Sequence, residues 1–110
     1  DIVRSAEVLG AGIAIAKCPT GTTNAQLVAA QAADDLLTIR GNKASFVVSE
    51  SGTDAAISGR SIGEVNVQLM LEELGGGGHA TMAAAKLSDT SITQAYEQLK
   101  TAINKFMKED

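Results

Sequence analysis

Four consecutive glycines, Gly75 to Gly78, run directly into His79, the only histidine of the 110-residue chain. Glycine costs roughly 0.5–1 kcal/mol against alanine in regular structure, so four in a row belong to a loop that needs unusual φ values or close approach by something else. The run follows an apolar-periodic stretch, Val65 to Leu74, and therefore begins where a helix stops. A helix C-terminus uses one glycine. The surplus suggests a backbone surface whose N–H groups lie open to an anion, with His79 at its edge as a donor. The competing reading is a flexible cap and turn, with His79 leading into the next strand.

Length and charge narrow what such a surface serves. A chain of 110 residues is one domain, long enough for a real core and too short for two. Hydrophobic residues make up 45%, many of them alanine, which suggests closely packed layers. Phe46, Tyr96 and Phe106 are the only aromatics, too few for a base-stacking platform. A net charge of −4 gives no general attraction for a long polyanion. A small phosphate ligand held by one Arg, one His and backbone amides remains compatible with it. Cys18 is alone, which leaves no disulfide framework and no zinc cluster and points to a reducing, cytoplasmic setting. No apolar run reaches the roughly 20 residues that span a bilayer. The chain opens at Asp1 directly in a helical pattern, as expected of a piece of something longer.

In chain order, Ile2, Val3, Ala6 and Leu9 share a helical face, which predicts a first helix over Asp1 to Leu9 ended by Gly10 and Gly12. Ile13 to Ala16 reads as a short buried strand. A helix follows, capped by Thr22, Thr23 or Asn24 and running to about Thr38, with alanines spaced by four for tight approach to a sheet. Ala44 to Ser49 and Ala55 to Ser61 read as a hairpin about Ser51-Gly52-Thr53-Asp54. Val67, Met70, Leu71 and Leu74 form the buried side of a short helix before the glycines. Thr81 to Leu87 is a strand of small residues. Ser91-x-x-Gln94 has capping-box form and opens a last helix with Ile92, Ala95, Tyr96, Leu99, Ile103 and Phe106 on one face, ahead of Lys108-Glu109-Asp110. The expected architecture is a single layered α/β (α+β) domain, with a mixed β-sheet of about four to five strands flanked by helices.

Arg60 is the second feature. It ends a strand and lies one short helix before the glycines, so both converge at one end of the sheet. Its planar fork suits phosphate, with the Ser58 and Ser61 hydroxyls beside it and Asn66 nearby. A surface ion pair with a carboxylate is the alternative for Arg60. Asp34 and Asp35 point to different sides of a helix and are expected to be solvated. No catalytic residue and no metal-ligand cluster is visible, a Cys18–His79 dyad has nothing to bring it together, and the glycines fit neither a P-loop nor G-x-G-x-x-G. The residues describe a ligand-binding domain without chemistry of its own.

The stretch Gly75-Gly76-Gly77-Gly78-His79 followed by Ala83-Ala84-Ala85, with Ser58-Gly59-Arg60-Ser61 upstream, resembles the C-terminal, DHH-associated domain of the DHH phosphoesterases. Arg60-Ser61-Ile62-Gly63-Glu64-Val65-Asn66-Val67-Gln68 is most similar to the GdpP-type branch, the cyclic-di-AMP phosphodiesterases. The likeness covers essentially residues 1–110, including the Gln31-Ala32-Ala33-Asp34 helix. Two departures stand out: Gly59 replaces a bulkier small residue such as Ala, which is expected to loosen the strand holding Arg60, and Ala85 stands where the wider family often has glycine.

The resemblance implies the substrate-binding half of a two-domain enzyme. The partner half would be an N-terminal DHH domain holding two Mn2+ ions. This chain has no Asp-His-His, so alone it is expected to be inactive. The implied substrate contacts are Arg60, Gly76, Gly77, Gly78 and His79, with Ser58 and Ser61 in the same element, gripping a cyclic or linear dinucleotide of adenosine. A homodimer, a membrane-anchored parent and no long nucleic acid are further implications. Two alternatives stay open: the same role in a nanoRNase or 3′-phosphoadenosine phosphatase acting on short oligoribonucleotides, and a non-enzymatic ligand-binding or dimerisation module.

Overall fold

The computed structural model describes residues 2–108. Among them are six strands and three α-helices: β1 (Glu7–Leu9), β2 (Ile13–Lys17), α1 (Ala25–Leu37), β3 (Ala44–Ser51), β4 (Asp54–Ser61), α2 (Val67–Glu72), β5 (Gly77–Gly78), β6 (Met82–Leu87) and α3 (Ile92–Lys108). The strands form one sheet in the order β1-β2-β3-β4-β6-β5. Only β2 and β3 run parallel, with α1 as the crossover a parallel pair requires, and every other neighbour is antiparallel. The mixed sheet flanked by helices matches the expected class, with six strands in place of four to five.

The strands not read from the sequence are β1 and β5, at the two edges of the sheet. Residues 2–5 form turns and residues 7–9 pair with β2, Glu7 opposite Ile15. The helical spacing of Ile2, Val3 and Ala6 is real, but so short a helix is marginal alone, and the three side chains pack instead beside the alanine cluster under α1. Asp1, at the head of that expected helix, lies outside the described residues, as do Glu109 and Asp110. Gly77 and Gly78 form the other added strand, pairing with Ala84 and Ala83. No periodicity marks two glycines as a strand.

Two cores lie on opposite faces of the sheet. On one, Ala29, Ala32, Ala33 and Leu36 of α1 meet Ala14, Ala16, Cys18 and Val47. Methyl-sized side chains let the helix backbone lie close enough for Ser45 Oγ to donate to the Ala33 carbonyl at 2.6 Å. Asn42 Nδ2 donates to the Leu36 carbonyl at 2.9 Å and closes the far end of α1. On the opposite face, α2 and α3 cover Ile13, Ile15, Phe46, Val48 and Ile57 with Met70, Leu71, Leu99 and Ile103. Asn24 occupies the α1 cap position in a left-handed conformation (φ 53°), and its side chain makes no capping bond, contrary to expectation. The capping box of α3 is complete: Gln94 N–H donates to Ser91 Oγ at 3.1 Å, and Ser91 N–H to Gln94 Oε1 at 3.0 Å.

Helix α1 lies over β3 and β4. Beyond them β6 alternates strictly, Ala83, Ala85 and Leu87 buried and Met82, Ala84 and Lys86 exposed. One face of β6 is therefore bare, and the edge of α1 stands beside it as a wall.

Candidate functional site

The glycine run is mostly consumed by the fold. Gly75, at φ 84°, donates its N–H to the Glu72 carbonyl at 3.1 Å, and Gly76 N–H donates to Leu71 at 2.8 Å. These two bonds are the paired closure of a Schellman cap on α2. A Cβ on Gly76 would stand 2.2 Å from the Ala84 carbonyl oxygen, so this glycine lets the chain pass directly against β6. His79 N–H donates to the Met82 carbonyl at 2.7 Å, and Met82 N–H returns to His79 at 3.3 Å. Counting back in an antiparallel ladder from that hydrogen-bonded pair, Gly77 faces its partner Ala84 and Gly78 turns its N–H to the open edge. The row of open amides expected from the sequence thus reduces to one, because helix carbonyls and β6 take the others.

The same hairpin brings the two halves of the site together. At its tip the Ala80 carbonyl accepts from Val67 N–H at 3.0 Å and the Thr81 carbonyl from Ser61 N–H at 2.9 Å. The tip is clamped between the start of α2 and the end of β4. Arg60 pairs with Met82 across β4–β6, and Met82 with His79 across the hairpin. Arg60 and His79 therefore occupy one cross-strand row with a single strand between them, about 10 Å apart at the backbone. His79 is exposed.

Arg60 lies on the face shared with α1, its side chain only 15% exposed. Its Nε donates to Asp34 Oδ1 at 3.1 Å and its Nη1 to the Gly59 carbonyl at 3.0 Å. A guanidinium carries five N–H protons, so three remain for a ligand among the described residues. The expectation that Asp34 is merely solvated is corrected by this bond. Helix α1 presents Asp34 over β4 because the Ser45–Ala33 bond docks the preceding residue onto the sheet. A carboxylate bordering an alanine stripe was the available signal, and nothing local says which cation it meets.

The other expected residues divide. Ser58, two residues before Arg60, shares its face by strand alternation and is half-buried. With Gln26, Gly75, Gly76, Gly77, Ala84 and Lys86 it borders a groove of about 430 Å³. Ser61 falls on the opposite face, where its buried hydroxyl accepts from Gly63 N–H at 3.0 Å and shapes the turn out of β4. Asn66 caps α2 by accepting from Leu69 N–H at 3.1 Å. Gly59 is buried beneath Phe46, and a Cβ there would stand 2.9 Å from the ring. Glycine is fitted to this strand, which corrects the expected loosening. Cys18 is buried beside α1 while His79 lies past the opposite side of the sheet, so they form no dyad. Among the described residues no three His, Cys, Asp or Glu side chains converge as a metal site. No described helix is long and apolar enough to cross a membrane.

A family model described as the DHHA1 domain matches residues 10–109, which includes every element of this site. The chain belongs to the DHHA1 domain family. Over 98 residues this DHHA1 domain is 50% identical to the cyclic-di-AMP phosphodiesterase GdpP of Geobacillus thermodenitrificans, an alignment covering 88% of this chain and 15% of that protein. It is 42% identical over 108 residues to the cyclic-di-AMP phosphodiesterase PdeA of Listeria monocytogenes, covering 97% of this chain and 16% of that protein. The chain thus spans about one sixth of the length of these curated relatives. Among solved structures, an exopolyphosphatase-related protein from Bacteroides fragilis superposes with a TM-score of 0.80 at 17% identity, covering 96% of this chain and 32% of that one. A pGpG-specific phosphodiesterase from Vibrio cholerae gives 0.62 at 13% identity, covering 97% of this chain and 36% of that one. These two establish the shared fold.

Proposed function

We propose that this DHHA1 domain is the substrate grip of a phosphodiesterase that hydrolyses cyclic di-AMP to linear diadenylate. Identities of 42–50% to proteins named for that activity support the substrate class. The observation that carries the role is Arg60: a cation with three N–H protons to spare, largely sheltered between α1 and the bare face of β6, one strand from His79. Arg60 would hold a phosphate oxygen in its fork, while His79 and the outward N–H of Gly78 close the far side of the row. The metal-bearing DHH domain belongs to the same proposal; with two Mn2+ ions it supplies the hydrolytic chemistry. The contribution of this chain is orientation, and positioning of this kind is worth several kcal/mol.

The test is a titration of the isotopically labelled domain with linear diadenylate, followed by amide shifts. Saturable shifts at Gly76 to His79 and at Arg60 are expected, with Arg60→Ala weakening binding about tenfold or more, the size of a lost charge-assisted hydrogen bond. The reading fails if Arg60→Ala leaves both this binding and the hydrolytic rate of the two-domain protein unchanged.

A further inference from the structure

Arg60 does not meet its ligand as a bare cation. Its Nε edge is engaged at 3.1 Å by Asp34, whose side chain is 63% exposed. The Nη1 contact with the Gly59 carbonyl, at 3.0 Å, pins the same fork from its own strand. The pair is close to neutral, and an anion docking on the remaining N–H protons sits one guanidinium width from a carboxylate. Lys86, a further cation on this face, lies four residues along β6 from the partner of Arg60, about 13 Å away. The Arg60 guanidinium alone would favour the more highly charged anion. A carboxylate at this distance offsets that preference, because each further negative charge on the ligand meets it as well.

We propose that Asp34 tunes the charge preference of the Arg60 site, cancelling much of the advantage that the guanidinium alone would give a doubly charged phosphomonoester over a singly charged phosphodiester. The inference rests on the reading of Arg60 as the phosphate contact. A diester carries one charge and a terminal phosphate approaches two above its second pKa near 6. For the proposed reaction this has a direct use: the substrate contains only diesters, whereas cleavage creates a phosphomonoester, which the Asp34 carboxylate disfavours. Asp34 is also a positioning residue, since its bond to Nε fixes the plane in which the free fork lies.

The test compares two probes on this chain, which carries its own two-sided core: adenylyl-adenosine, with one diester and no terminal phosphate, and adenosine 5′-monophosphate, fully doubly charged at pH 8. Asp34→Asn keeps the size of the side chain on an exposed helix position and removes only the charge. Any loss of aim weakens both probes alike, so the ratio of their affinities isolates the electrostatic effect. That ratio is expected to move toward the monophosphate by about threefold or more, and to return in Asp34→Glu. An unchanged ratio, with Arg60→Ala still weakening binding of both probes, overturns the role of Asp34 alone. Binding of neither probe, or binding indifferent to Arg60→Ala, overturns the phosphate reading of Arg60 and this proposal with it.

Discussion

Gly59 lies directly opposite Phe46 in the β3–β4 ladder, and the aromatic ring covers the space where a side chain at 59 would stand. The residue next to Arg60 is thus fixed by the core on the other side of the sheet. A methyl group there would meet Phe46 Cε1 at 2.9 Å and Leu71 Cδ1 at 3.2 Å. Gly59→Ala is expected to destabilise the domain by about 1–3 kcal/mol, the range for overpacking a core. A fall in the denaturant midpoint at constant slope checks this, and an unchanged midpoint would show that Phe46 moves freely.

Adjacent glycines in the run should respond oppositely. A Cβ on Gly76 meets the Ala84 carbonyl oxygen and the Ala85 Cβ, at 2.2 and 2.6 Å, whereas one on Gly77 meets nothing within 4 Å. Gly76→Ala is expected to cost about 3 kcal/mol or to prevent folding. Gly77→Ala should leave stability within about 0.5 kcal/mol. Thermal melts of the two variants side by side decide the matter.

The capping box of α3 offers a local check. Ser91→Ala removes the acceptor that Gln94 N–H uses at 3.1 Å. The expected loss is about 0.5–2 kcal/mol, read from urea denaturation. Gln94→Ala should cost less, since the Ser91 N–H it abandons is exposed to water.

Tyr96 predicts an alkaline limb in stability. Burial raises its phenol well above the ordinary value, reinforced by the hydrogen bond it donates to Glu7 Oε1 at 2.9 Å and by the negative charges of Glu7 and Glu97. Above about pH 10 the unfolded chain releases this proton while the folded domain retains it. The folded state then binds more protons than the unfolded state, so stability falls as pH rises and is unaffected below that point. Tyr96 is the only tyrosine, so tyrosinate absorbance reports it cleanly. Ionisation at the ordinary midpoint in the folded protein, or an equal alkaline decline in Tyr96→Phe, would contradict the assignment.

What the sequence determined by itself is what depends on neighbours a few residues away. The β3–β4 hairpin, the alanine stripe of α1, the apolar faces of α2 and α3, the Ser91-x-x-Gln94 box and the glycine that ends α2 all follow from local spacing and local hydrogen bonds. The motif pairing Arg60 with His79 was legible as pattern, and the DHHA1 family match covers both. Tertiary structure alone decided the rest. Residues 7–9 became a strand because the edge of β2 offered a ladder that a short helix could not match. The open amides of the glycine run fell to the one on Gly78 because a Schellman cap and β6 claimed the others. Ser61 turned away from Arg60 because strand alternation sends consecutive residues to opposite faces. Asp34 met Arg60, 26 residues distant in the chain, because α1 docks on the sheet through the Ser45–Ala33 bond. Register and docking are properties of surfaces that meet only after folding, and no spacing along the chain encodes which carboxylate they bring to which cation.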